Sequence, residues 1–431
     1  MILLHLYTLV STFALLTEGF GSFENRDIAS NDLPAQAQRV NQKGFNVLPT
    51  VLPPTESNAT TYFLPPGVEK ASWLERPFHI YDDEFLSVIG ENPTLTLIAN
   101  AGTNPLFHEA VVWYPPTDEV FIAQNAGSPA AGTGLNKSSI ISKISLAQAG
   151  PVSNKRNATG LVDVITVNSS PMVINPNGAT NYKGQILYMS EGQGSNTTAA
   201  LVVMNPREPY NTTVLVNNYF GRQFNSLNDI AINTRNKDLY FTDPEYGYLQ
   251  DFRPAPGLPN QVYRYNDSTG ALTVAADGFN LPNGIVFSPD STHVYVTDTG
   301  ANGGFWGWNF TGPASMWVDL LQRKATCSPQ FRYRFDVQQD GTFENRKTFA
   351  YINSGVPDGI HCDSKGNVYA GTGDGIQVWN QSGKLIGKIY LGETSANFRF
   401  AGHGRMVIAA EQDLYYVTLA ASGADYIEHL S

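Results

Sequence analysis

Only two cysteines, Cys327 and Cys362, occur in 431 residues. That excludes a disulfide framework and every multi-thiolate metal site, and leaves room for one bridge at most. Charge is scarce as well: charged residues are 15% of the chain, with 27 basic against 38 acidic side chains and a net charge of −11. Without clustered cations there is no electrostatic footprint for a nucleic acid, and none is expected as a partner. The chain has no EF-hand loop, no H-E-x-x-H and no G-x-S-x-G, so the common metalloprotease and serine-hydrolase readings lack their residues. Long apolar runs are confined to residues 2–16, and nothing after them reaches membrane-spanning length.

That first run has the length of a signal peptide and is followed by the small-residue stretch Gly19-Phe20-Gly21-Ser22, so residues 1–21 are expected to be a cleaved export signal. A membrane anchor is the alternative use of the same run. Nine Asn-X-Ser/Thr sequons lie between Asn58 and Asn380, which fits a secreted, extracellular glycoprotein with no membrane association after cleavage. Residues 22–70 carry Pro53-Pro54 and Pro65-Pro66 and show no lasting periodicity; they read as an extended N-terminal arm. The oligomeric state is left open.

What the chain does have is turns, strands and a repeat. Hydrophobic residues are 42% and aromatics 12%, beside 39 glycines and 26 prolines, the profile of a folded, turn-rich chain rather than a disordered one. One phrase recurs six times: a polar residue, a short apolar strand, a turn, and a second apolar strand ending in a polar residue. The copies begin at Glu109 (EAVVWYPPTDEVFIAQ), Asn177, Asn228 (NDIAINTRNKDLYFTDP), Asn283 (NGIVFSPDSTHVYVTDT), Asp358 (DGIHCDSKGNVYAGTGD) and Asn397, spaced by 68, 51, 55, 75 and 39 residues. Those intervals bracket a four-stranded propeller blade. The excess in the two long ones, 125–160 and 301–331, reads as loop insertion. Further strand candidates, QVYRYN and ALTVAAD at 261–277, GKLIGKI at 383–389 and LYYVTLA at 414–420, supply outer strands. The expected fold is all-β: a six-bladed β-propeller of four-stranded antiparallel blades over residues 71–431, with a two-sheet sandwich as the weaker alternative.

A propeller brings equivalent repeat positions around one axis. The six phrase-initial residues would thus form an oxygen-rich ring of two carboxylates and four carboxamides at one channel mouth. Such hard donors suit Ca²⁺ first and Mg²⁺ or Mn²⁺ after it, and two carboxylates match a divalent charge. Each member is also an ordinary turn former that can cap a strand. The returning strands end at Glu191, Asp243, Asp298 and Asp374, which serve either as a general base or as acceptors for strand-end amides. Tyr246, Tyr248, Phe305 and Trp306 sit in loops that could wall a pocket. His108 and His403 read as structural.

The phrases FHEAVVWYPPTDEVF, SLNDIAIN, LYFTDPEYGY, LPNGIVFSPD and VPDGIHCDSKGNVYAGTGDGIQVWN resemble the regucalcin/gluconolactonase family of propeller lactonases, in particular the secreted fungal lactonohydrolases that open aldonate lactones and D-pantolactone. The resemblance implies Glu109, Asn283 and Asp358 as calcium ligands and Asn228 as a further metal or substrate contact. It implies a calcium-dependent hydrolase of small lactones; within it Asp358, which would combine ligand and base in one residue, is expected to take the proton from water, with Asp298 or Asp243 as replacements. Two departures stand out. Animal regucalcins have an arginine where this chain has Ser226, and the segment 318–330, VDLLQRKATCSPQ, is an insertion whose Cys327 could pair with Cys362. A calcium-stabilised propeller that binds a glycan or protein, and a phosphotriesterase on the same scaffold, share the ring and remain as alternatives.

Overall fold

The computed structural model describes residues 33–51, 69–300 and 331–424. Among them are six sheets, each built on an antiparallel meander that starts on an innermost strand and works outward. The inner strands are Glu109–Tyr114, Pro176–Tyr182, Ile230–Ile232, Pro282–Phe287, Ile360–Cys362 and Asn397–Phe400, in blades one to six. Each follows or contains the start of one sequence phrase, so the expected six-bladed propeller is present. The candidate outer strands are there too, at Gln261–Asn266, Ala271–Ala276, Leu385–Tyr390 and Asp413–Thr418.

Ring closure is not visible in the repeat. The outermost strand of blade six is Thr94–Asn100, which precedes blade one in sequence and pairs antiparallel with Asp413–Thr418. A ring whose last blade borrows a strand from before its first cannot open without losing that ladder. The described part of the N-terminal arm also adds to a blade: Ala37–Arg39 pairs parallel with Phe78–Ile80, which pairs with Leu385–Tyr390 of blade five. Blade five thereby becomes a six-stranded sheet.

Two loop expectations fare differently. Within 125–160, Ile141–Ser145 is the third strand of blade one, paired with Glu119–Ala123; five residues of ISKIS flanked by Gly, Ala and Asn carry too little β-signal to stand out. Residues 301–330, with Phe305, Trp306 and Cys327, lie outside the described residues. Cys362 is buried on the inner strand of blade five.

Hairpin turns within the phrases are built by side chains that mimic backbone acceptors. Asp290 Oδ1 accepts from Thr292 N at 3.1 Å, and Asp363 Oδ1 accepts from Lys365 N and Asn367 N at 2.9 Å each. Apolar residues then fill the seams between blades. Val112 and Phe121 of blade one pack on Ile186 and Tyr188 of blade two; Tyr240 and Val262 of blade three pack on Ile285 and Val296 of blade four. Full burial of such side chains stabilises by about 1.5–3 kcal/mol each, and with the core spread over seams the polar inner strand ends are left at the axis.

Candidate functional site

Beside the phrase starts, inner strands of neighbouring blades approach each other closely, and glycine permits it. A Cβ on Gly178 would lie 2.5 Å from Asn228 O, and one on Gly284 would lie 2.6 Å from Asp358 O. The polar residue before each of these glycines is therefore brought against the next blade. Register shifts at Glu109/Val112, Pro176/Ala179 and Pro282/Ile285 mark bulges at the same phase in three blades, and bulges re-aim side chains at strand ends. Threonines of the returning strands pin the carbonyls: Thr242 Oγ1 donates to Asn283 O at 2.7 Å and Thr297 Oγ1 to Asp358 O at 3.0 Å.

The result is one cavity of about 300 Å³ whose wall includes Glu109, Asn177, Asn228, Asn283 and Asp358. Thus all four sequence-predicted metal residues meet there. Asn397 sits behind Glu109, donating Nδ2 to its Oε2 at 2.6 Å. Hydrogen bonds also decide which end of each carboxamide is spent. Asn283 Nδ2 donates to Tyr246 Oη at 3.0 Å, and that hydroxyl also contacts Thr299 Oγ1; Asn177 Nδ2 donates to Glu191 Oε1 at 3.0 Å. In contrast, Asn228 Oδ1, Asp358 Oδ1, Asn177 Oδ1 and Glu191 Oε2 are buried with no hydrogen-bond partner. An unsatisfied buried acceptor costs roughly 1–3 kcal/mol, so four around one cavity define a place for something the protein does not itself supply.

Electrostatics point the same way. Burial, and next to it the charge of Asp358, raises Glu109 well above the ordinary carboxylate range, and burial carries Asp358 up to about 6. Two facing carboxylates with carboxamide oxygens beside them fit a hard divalent cation, which would relieve their mutual repulsion. Among the described residues no cluster of three or more His, Cys, Asp or Glu is set to hold a metal; the fit here depends on the asparagines.

A histidine joins the site. His108 Nδ1 lies 2.8 Å from Glu411 Oε1, and both line the cavity. Burial opposes the charged ring, yet the carboxylates of Glu411, Glu109 and Asp358 carry its pKa up to about 10. His108, read as structural from the sequence, thus also has a place in the cavity wall. Glu411 was missed in the sequence, although it ends the returning strand of the sixth phrase as Glu191 ends that of the second. His403 stays exposed near Ser422 Oγ, away from the cavity.

Other candidates go elsewhere. Asp298 is not in the cavity wall: Oδ1 accepts from Leu281 N (2.9 Å) and Gly300 N (3.1 Å), and Oδ2 from Asn280 N (3.0 Å). Its carboxylate is consumed by the chain entering and leaving the blade. Asp243 likewise accepts from Asn225 N and Ser226 N, and Asp374 pairs with Lys388 at 2.6 Å. Glu191 alone of the four returning-strand carboxylates lines the cavity, and of the described loop aromatics Tyr246 does and Tyr248 does not.

The model of the SMP-30/gluconolactonase/LRE-like region matches residues 162–310 and 326–420. The chain belongs to this family. Lactonohydrolase oryL of Aspergillus oryzae is 27% identical over 329 residues, covering 74% of this chain and 68% of the relative. The gluconolactonase of Zymomonas mobilis is 28% identical over 217 residues, covering 49% and 55%. Among solved structures, a gluconolactonase from Xanthomonas campestris superposes with a TM-score of 0.59 at 21% identity, covering 80% of this chain and 94% of the other. At that identity the superposition speaks to the fold.

Proposed function

We propose that this family member is a secreted, calcium-dependent hydrolase that opens the ester ring of small lactones. One observation carries the reading: Glu109, Asn228, Asn283 and Asp358, from four blades, face one cavity with buried oxygens of Asn228 and Asp358 unpartnered. The names of the relatives, lactonohydrolase and gluconolactonase, support lactones as the substrate class. The leader at residues 1–21 and the nine sequons support export.

Glu109, Asn228, Asn283 and Asp358 would hold the ion, with hard oxygen donors that favour Ca²⁺ over softer-ligand metals. Bound there, Ca²⁺ supplies Lewis-acid polarisation of the lactone carbonyl oxygen. Tyr246 Oη accepts from the Asn283 carboxamide nitrogen, which leaves the carboxamide oxygen to serve as the ligand. Asp358 offers an unpartnered Oδ1 to the attacking water and takes its proton. The base is assigned to Asp358 rather than Asp298 because Asp298 has no oxygen to spare. The Glu411 carboxylate fixes the His108 ring at the edge of the same space.

A pH-stat assay with five-membered lactones, with and without chelator, tests the reading. Acid release should require calcium, and Asp358→Asn and Glu109→Gln should each lower kcat/KM by roughly 10²-fold or more while leaving the protein folded. Full activity after thorough chelation overturns calcium dependence; no acid release in either condition overturns the hydrolase.

A further inference from the structure

We propose that Asn177 and Glu191 of blade two form a hydroxyl-recognition site beside the cation-binding ring and set a preference for hydroxylated over unsubstituted lactones. This rests on the lactone-hydrolase reading and extends it to substituents on the ring.

Of the six phrase-initial residues, four are assigned to the cation. Both polar atoms of Asn397 are engaged by the protein, and it does not line the cavity: Nδ2 donates to Glu109 Oε2 at 2.6 Å and Oδ1 accepts from Phe398 N at 2.7 Å. Asn177 is the exception. Its Nδ2 is used on Glu191 Oε1, but its Oδ1 and the other oxygen of Glu191 are buried and unpartnered. Asn177 is 8% exposed and Glu191 1%, and both line the cavity.

Ser226 and Arg253, two donors whose fields reach Glu191, are engaged elsewhere. Ser226 Oγ donates its single proton to Pro244 O at 3.0 Å and accepts from Gly247 N at 2.8 Å. Arg253 spends Nε on Asn225 O, Nη1 on the carbonyls of Gly194 and Thr197, and Nη2 on Gln223 Oε1 and Phe224 O. All five guanidinium N–H groups are thus committed. Two adjacent buried oxygens without a hydrogen-bond partner call for a ligand that brings its own donors, and on the carbons of a lactone ring those are hydroxyls. Ala126, Gly127 and Val356 elsewhere in the wall offer apolar contact for the ring itself. A site built of buried acceptors penalises an analogue lacking the hydroxyl far more than a merely apolar pocket does, up to roughly 10⁴-fold.

The test compares kcat/KM for γ-butyrolactone and its α-hydroxy and α,β-dihydroxy derivatives in the wild type, Asn177→Leu and Glu191→Gln, all with excess Ca²⁺ and at about pH 8, where Glu191, carried by burial to about 7, is mostly the ionised acceptor. Calcium titrations and thermal unfolding are run on the same proteins. The first variant removes the free oxygen at similar volume; the second keeps shape and turns an acceptor into a donor. The wild type should prefer a hydroxylated ring, and each variant should lower that preference at least about tenfold, with calcium affinity retained. An unchanged preference in variants that still open both ring types overturns the proposal and leaves the hydrolase standing. Loss of calcium affinity in Asn177→Leu also overturns it, since Asn177 would then belong to the ion. A wild type that opens none of the lactones overturns the hydrolase reading and this proposal with it.

Discussion

Asn397 Nδ2 donates to Glu109 Oε2 at 2.6 Å across 288 residues of sequence, so the last blade holds a cavity-lining carboxylate of the first. A hydrogen bond to a charged group contributes about 1.5–3 kcal/mol net. Asn397→Ala is expected to lower the urea midpoint and to weaken calcium binding, because Glu109 loses the contact that fixes its orientation. Chemical denaturation and calcium titration on the same variant measure both effects.

Gly284 determines the distance between two candidate ligands. A Cβ there meets Asp358 O at 2.6 Å and Ile360 N at 3.0 Å, both backbone atoms that cannot swing aside. Gly284→Ala should cost about 1–3 kcal/mol and weaken calcium binding by spreading Asn283 from Asp358. Gly150→Ala, whose Cβ would meet nothing within 4 Å, should do neither.

Asp298→Asn separates a folding role from a chemical one. An asparagine has one acceptor oxygen where Asp298 serves three backbone N–H groups with two. The thermal midpoint should fall, while kcat/KM with excess calcium stays close to that of the wild type. A collapse of kcat/KM like that of Asp358→Asn would return the base role to Asp298.

Removal of calcium should make stability fall as pH rises. Burial carries Asp229, Asp243 and Glu191 to about 7 and Asp358 to about 6. The folded protein therefore holds protons that the unfolded chain has released above its ordinary carboxylate pKa of about 4. Stability from these groups is fully present below that pH and is lost as pH climbs through the folded values. Each group loses about 1.4 kcal/mol for every pH unit that separates its folded pKa from its unfolded one. His108, raised to about 10 by Glu411 against its burial, loses its contribution in the same direction above about pH 6.5. Melting of chelated protein between about pH 5 and pH 8 should show the decline, and calcium should flatten it by favouring ionised Glu109 and Asp358.

Much of this architecture could be read in the chain. Phrases at one phase located all six inner strands, because a short apolar run closed by a turn dipeptide such as Pro289-Asp290 is a local signal. ISKIS escaped because five residues with two serines carry no such contrast. The closing strand Thr94–Asn100 escaped because its partner lies some three hundred residues away, beyond any local pattern. At the site, Glu109, Asn228, Asn283 and Asp358 were legible as phrase starts. His108 and Glu411 were not, since their pairing joins blade one to blade six.

Sequence by itself determined phase: which residue begins each inner strand follows from strand periodicity and turn chemistry, both local. Tertiary structure decided which of those residues keeps a free oxygen. Asn177 and Asn397 are the same residue type at the same phase, yet the one lines the cavity with an unpartnered oxygen and the other has its oxygen engaged by a backbone N–H. That difference depends on which donors and acceptors the neighbouring blades present, and hydrogen bonding across a seam has no signature within either strand.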